Sequence, residues 1–182
     1  MIYKKTNLQD ASIIDLEKNE DDRGFFSRIF CKKEFTKLGL DSDWVQINHS
    51  SSLLKGTLRG LHFQVGKSAE TKLIKCISGS IWDVIVDLRK ESISYGKWFG
   101  INLSAKNKTM LYVPKGFAHG FISLEDNSDI IYLVSQYYSK NNEYGLLWND
   151  SDIGIDWPLT PMIISEKDRD NYSFSYLDKE IL

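Results

Sequence analysis

Eight short segments constrain this chain more than any other feature. They are Trp44–Asn48, Thr57–Gln64, Lys72–Ile77, Ile81–Leu88, Trp98–Leu103, Met110–Val113, Gly120–Leu124 and Ile130–Tyr138. Each is rich in β-branched or aromatic residues, and turn residues separate most of them. Many short strands at close spacing predict an all-β sandwich or barrel. One short helix is expected over Lys32–Leu38, with Gly39 ending it. Ser78-Gly79-Ser80 reads as a hairpin turn. The tail after Glu143 reads as irregular loops pinned by Trp148 and Trp157. With three prolines and no low-complexity stretch, nothing resembles an interdomain linker, so residues 1–182 are expected to form one domain. The 42% hydrophobic content is enough to build its core.

Charge narrows the partners. The net charge is -2, so nucleic acid is not an expected partner. The distribution is uneven: residues 1–124 carry 19 Lys and Arg against 13 Asp and Glu, and residues 125–182 carry 4 against 12. A basic first part suits a phosphate-bearing ligand, although an unevenly charged, solvated surface gives the same counts. Cys31 and Cys76 make no disulfide framework, and Cys76 within Lys72–Ile77 reads as a reduced packing thiol. The N-terminus has no apolar signal region, and no apolar run approaches the ~20 residues that span a bilayer. A soluble, cytoplasmic protein with no membrane partner is expected.

Two of the three histidines sit in glycine-framed, strand-like contexts. His62 lies in Gly56-Thr-Leu-Arg59-Gly-Leu-His62-Phe-Gln64, and His119 in Pro114-Lys-Gly116-Phe-Ala-His119. Histidine moves protons near neutral pH, and the basic and aromatic neighbours suggest an anionic, ring-bearing substrate. Arg59 and His62 have opposite strand parity, so a regular strand cannot aim both into one cavity; Gly60 permits a bulge that would re-aim one. Asp83 shares a strand face with Ile81 and Ile85 and therefore needs a partner. Tyr132 and Tyr138 share a face of the last segment, far enough apart to meet opposite ends of one long ligand. Taken singly, His119 could be a turn-packing histidine, the tyrosines sheet aromatics and the lysines solvated charges.

The two histidine motifs resemble those of the cupin superfamily, which implies a cupin-type jelly roll (double-stranded β-helix) with a few short helices. Gly56 and His62 keep the first motif's spacing, but Gln64 stands where a metal-binding cupin has its second histidine. The expectation is therefore a cupin without a metal. The resemblance extends along the chain through Asp22-Arg23-Gly24-Phe25-Phe26, Gln46-Ile-Asn48, Asp83-Val-Ile-Val-Asp87, Trp148-Asn-Asp150 and Ser165-Glu-Lys167-Asp168. In order and spacing these are similar to the dTDP-4-dehydrorhamnose 3,5-epimerase family.

That resemblance implies an isomerase acting on a nucleotide-linked 4-keto-6-deoxy sugar, with no cofactor. It implies His62 as base, Asp168 as its orienting carboxylate, Lys72 as stabiliser of the C4 oxygen and Tyr132 as acid. Arg23, Arg59 and Lys167 would surround the diphosphate. Gln46, Asn48 and Glu143 would hydrogen-bond the ligand, Phe26 and Tyr138 would flank the base, and His119 would contact phosphate or sugar. The family implies a homodimer, with Arg23 and Phe26 reaching into the neighbouring subunit. Arg28 replaces a common glutamate at the nucleotide end, and Glu70 a common glutamine, which leaves the base open. A C3-only epimerase, a keto-isomerase and a non-catalytic nucleotide-sugar-binding cupin stay open as alternatives.

Overall fold

A computed structural model describes residues 1–182. The strands are β1 Ile2–Lys5, β2 Ser12–Asp15, β3 Lys18–Asp21, β4 Gly24–Ser27, β5 Gln46–Ser52, β6 Thr57–Gln64, β7 Lys72–Ser78, β8 Ser80–Asp87, β9 Trp98–Ser104, β10 Thr109–Val113, β11 Phe117–Ser123, β12 Ser128–Val134, β13 Glu143–Gly145 and β14 Ile163–Ile164. Helix α1 spans Lys32–Lys37, α2 Glu166–Arg169 and α3 Phe174–Glu180. The first sheet runs β1-β2-β10-β7-β12-β5, and the second β13-β6-β11-β8-β9 with β14 beside β6. A separate ribbon pairs β3 with β4. The fold is the cupin jelly roll.

Alternation along the strands makes three packed layers. On β7, Ile74 and Cys76 face the second sheet, where they meet Ile81, Ile85, Phe117 and Phe121. The neighbouring Leu73 faces outward and packs with Met110, Tyr112 and Phe35 of α1. On β8, Val84 and Val86 face away from the inter-sheet core and lie under Leu146, Ile153 and Leu177 of α3. Such strands are apolar on both faces and read as continuous hydrophobic runs. Cys76 is a fully buried free thiol, pushed up to about 11 chiefly by burial.

Four expectations need correction. Ser78-Gly79-Ser80 closes no hairpin, because β7 belongs to the first sheet and β8 to the second. Ile74 and Ile81 belong to one core between the sheets, as expected of facing sheets rather than neighbouring strands. The strand expected over Ile130–Tyr138 ends at Val134, where the Ser135 N–H and hydroxyl bond Thr71 and turn the chain. Tyr138 therefore follows a bend, and strand parity does not relate it to Tyr132. The tail holds α2 and α3 as well as loops, although the Trp157 indole does pin it by donating to the Trp148 carbonyl at 2.9 Å. Finally, β1 at a sheet edge and β3 and β4 in the ribbon are mostly exposed, so no alternation announces them.

The bulge expected at Gly60 is present. His119 stands opposite His62, and Phe121 stands opposite Arg59. Two steps on β11 thus match three on β6, which turns Arg59 and His62 into the same cavity. Gly60 has φ +111°, and a Cβ there would lie 2.7 Å from the Gly120 Cα. A Cβ on Gly120 would lie 2.8 Å from the Arg59 carbonyl oxygen, so this crossing needs glycine on both strands. No helix is long and apolar enough to cross a membrane.

Candidate active site

The cleft between the sheets has two lobes. One, of about 480 Å³, is lined by Arg59, His62, Lys72, His119, Tyr132, Lys167 and Asp168 among others. The other, of about 350 Å³, is lined by Gln46, Asn48, Gln64, Glu70, Tyr138 and Glu143 among others. His62, Lys72 and Tyr132 line both lobes and form the waist between them. His62 comes from the second sheet, and Lys72 and Tyr132 from the first.

His62 Nε2 lies 2.6 Å from Asp168 Oδ1. The second Asp168 oxygen accepts the Gly60 N–H at 3.1 Å. Burial would raise this carboxyl, but hydrogen bonds from His62, Gly60 and Ser165, with the attraction of His62, hold it below the usual carboxylate range. An ionised carboxylate only accepts, so Nε2 carries the hydrogen and Nδ1 keeps its free lone pair. Asp168 is placed by local sequence: Ser165 caps α2, and its hydroxyl accepts the Asp168 N–H at 3.1 Å. The Ser-x-x-Asp spacing is a helix-start signal, yet Ser165 has no place in the residue reading of the site.

Lys72 Nζ is 3.0 Å from Glu70 Oε1; the lysine is buried and the glutamate largely so. Tyr132 is pushed up first by burial and then by the Glu70 and Glu143 carboxylates, against Arg59, so its phenol keeps a proton to donate. His119 is buried, and its Nε2 reaches both oxygens of Asp83 at 3.0 Å. Complete burial pushes the Asp83 carboxyl up, against the pull of His119. This answers the need for a partner that strand parity raised for Asp83.

The remaining residues divide into those in the cleft and those outside it. Arg59 lines the larger lobe, held by the Ser51 carbonyl at 2.9 Å. Gln46 donates to Asn48 at 2.8 Å in the smaller lobe. At the rim, Glu143 accepts from Lys167 at 2.6 Å and from Tyr138 at 3.0 Å. Burial would raise Glu143, but these two donors hold it low. Lys167 is therefore partnered by a carboxylate rather than standing free. Arg23, Phe26 and Arg28 lie outside the cleft of their own chain. Arg23 pairs with Asp21, and its side chain is 90% exposed. Phe26 is 68% exposed on the ribbon, so it does not face Tyr138 within one chain. Arg28 pairs with Glu34 at 3.0 Å. The physical reason is the ribbon, which is hydrogen-bonded to neither sheet. Gln64 is spent on structure: its Nε2 faces Ser68 O, Glu70 Oε2 and Tyr137 O, while its Oε1 accepts the Ser139 N–H at 2.6 Å.

An oriented imidazole, a protonated phenol and a buried ammonium around one waist suit proton abstraction beside a carbonyl, with the charge gathered on the carbonyl oxygen. The jelly roll that carries them is a cupin arranged for acid–base isomerisation. The family model described as dTDP-4-dehydrorhamnose 3,5-epimerase matches residues 5–175. The chain is 44% identical to the dTDP-4-dehydrorhamnose 3,5-epimerase of Shigella flexneri over 171 residues, covering 93% of this chain and 94% of that one. It superposes with a TM-score of 0.92 on the Bacillus anthracis enzyme solved with TDP and PPi bound, at 46% identity, covering 94% and 98% of the two chains. Against the Legionella pneumophila 3,5-epimerase in complex with dTDP-4-keto-L-rhamnose, the TM-score is 0.93 at 37% identity, covering 100% and 96%. The chain belongs to the dTDP-4-dehydrorhamnose 3,5-epimerase family.

Proposed function

We infer that this chain is an epimerase converting dTDP-4-keto-6-deoxy-D-glucose to the L-rhamno 4-keto sugar by inverting C3 and C5. The observation that carries the reading is the His62–Asp168 pair at the waist, with Lys72 and Tyr132 on the opposite sheet. The C4 ketone acidifies the protons on C3 and C5. His62 Nδ1 takes one of them, and the imidazolium is stabilised by Asp168. Lys72 stabilises the enolate oxygen. Tyr132 returns a proton to the other face of the ring; exchange with solvent then removes the proton from His62 and restores one to Tyr132, and the cycle repeats at the second carbon. Arg59 and Lys167 are the cleft cations available to the diphosphate. Tyr138, exposed at the rim, is the aromatic available to the base. This is a reaction on a soluble nucleotide sugar, in keeping with action in the cytoplasm.

The reading extends to a homodimer in which the ribbon delivers Arg23 and Phe26 to the partner's cleft. The exposure of Phe25 and Phe26 together on a ribbon hydrogen-bonded to neither sheet supports it. Sedimentation of the purified chain as a monomer at micromolar concentration would remove this part of the reading.

Proton NMR in deuterated water with dTDP-4-keto-6-deoxyglucose tests the chemistry. Deuterium at both C3 and C5 is expected. Deuterium at C3 alone would make the chain a C3-only epimerase, and deuterium at neither would leave a binding protein. In the same assay, Tyr132→Phe is expected to keep proton abstraction while slowing net inversion by roughly 10²-fold, the lower range for loss of a general acid. Exchange then outruns epimerisation. Equal loss of both would reduce Tyr132 to a positioning role.

A further inference from the structure

Lys72 begins β7, two residues after Glu70. Its Nζ lies 3.0 Å from Glu70 Oε1, with the two side chains 9% and 11% exposed. The other carboxylates in the cleft or directly behind it each have a donor of their own. Asp168 of α2 has His62 of β6, Asp83 of β8 has His119 of β11, and Glu143 of β13 has Lys167 and Tyr138. Arg59 of β6 is occupied by Ser51, and Tyr132 of β12 is a phenol pushed up by its surroundings. Glu70 is thus the carboxylate that Lys72 touches.

Glu70 is itself held. Its second oxygen accepts Gln64 Nε2 at 3.0 Å. The same amide reaches the Tyr137 carbonyl at 3.3 Å, and its oxygen accepts the Ser139 N–H at 2.6 Å. Gln64 occupies the motif position that a metal-binding cupin gives to a ligand histidine. Here that position bridges a carboxylate in the cleft to the backbone on either side of Tyr138.

We propose that Glu70 is a positioning residue for Lys72, and that Gln64 and Glu70 together tie this lysine to the segment bearing Tyr138. The inference rests on the reading of Lys72 as the group that stabilises the enolate. An ammonium on a four-carbon stem is a mobile point charge. Stabilising a charge as it develops requires the donor to be in place beforehand. One Glu70 oxygen fixes the ammonium at the waist, and the other fixes Glu70. Glu70→Gln has a single acceptor oxygen, so it can serve Lys72 or Gln64 but not both. Glu70→Ala serves neither.

The test combines a spectroscopic and a kinetic readout on the full chain. With 15N-labelled lysine, an ammonium held in a buried ion pair exchanges slowly with water and gives a proton–nitrogen cross peak. Its assignment to Lys72 follows from its loss in Lys72→Arg. The peak is expected in the wild type and absent in Glu70→Ala. With dTDP-4-keto-6-deoxyglucose, kcat of Glu70→Ala is expected to fall about 10- to 100-fold, as for a displaced transition-state donor, with KM changed by less than about threefold. Glu70→Gln, which is isosteric, should fall between. A role in fold stability alone would lower the thermal midpoint without separating kcat from KM. A wild type lacking the peak, a peak that persists in Glu70→Ala, or kcat within about twofold of wild type in both variants would overturn the proposal. A wild type that shows the peak but exchanges no deuterium into the sugar would retire the epimerase reading instead. The peak in Glu70→Ala would still decide the tether.

Discussion

Replacing His62 by alanine is expected to slow solvent exchange at the sugar carbons by about 10²–10⁴, the usual contribution of a general base, while dTDP binds nearly as before. The side chain is part-buried at the waist and is the only imidazole in contact with Asp168. His119, the other histidine lining the cleft, is committed to Asp83 through its Nε2 and is buried. It faces His62 across β6 and β11 but does not reach Asp168's carboxylate, so it is no ready substitute. The truncation leaves Arg59, Gln46, Asn48 and Tyr138 in place, which is why binding should survive. The check is deuterium incorporation by NMR alongside calorimetric titration with dTDP. Wild-type exchange in His62→Ala would refute the proposed mechanism.

Asp168→Asn should be comparably severe, with a loss approaching about 10⁴ if the orienting carboxylate acts as it does in a catalytic triad. The two Asp168 oxygens accept from different donors, His62 Nε2 and the Gly60 N–H. Asparagine keeps one acceptor. If its oxygen stays on Gly60, its NH₂ meets Nε2, which must then be the unprotonated nitrogen. The hydrogen moves to Nδ1, and the nitrogen facing the substrate can no longer accept a proton. Fold stability also becomes less pH-dependent. The Asp168 carboxyl is held low in the fold, so its stabilising share is full above the ordinary carboxylate range and is lost as pH falls through its depressed value. The amide cannot titrate, so the variant lacks this acid-sensitive share. Deuterium exchange and acid unfolding curves measure the two effects separately. Undiminished exchange would show that Asp168 does not set the tautomer.

The strands that position the site are legible because they alternate or run continuously apolar: the sequence pattern matches β6 at both ends, and β7, β9 and β10 to within one residue. Helix α1 is equally plain, ended by Gly39, which has φ +72°. What escaped is physical in origin. Whether Ser78-Gly79-Ser80 joins paired or facing strands depends on what Ile74 and Ile81 bury against, which no local pattern states. The β3–β4 ribbon has no buried face of its own to impose a period. In the site, Gly60 gave a true warning of the bulge, because Arg59 and His62 had conflicting parity. The partner of Lys72 stands two residues before it in sequence, and the sequence marks Glu70 only as a departure from a common glutamine. That its carboxylate also engages Gln64 follows from the path of the β6–β7 connection, which brings residue 70 back to the end of β6, and no strand pattern states that path.

The proposed base and acid reside on opposite walls of a sandwich. His62 belongs to β6 in the second sheet and Tyr132 to β12 in the first. Packed sheets lie about 10 Å apart, enough for one sugar ring and the side chains that grip it. The handedness of the product is then a property of architecture: each wall addresses one face of the ring. Residues at the rim and on the ribbon, such as Tyr138, Glu143 and Phe26, are built on loops, a strand edge and a detached hairpin. They can vary without moving either wall. Selection of the nucleotide and inversion of the carbon can therefore diverge independently in a lineage built on this scaffold.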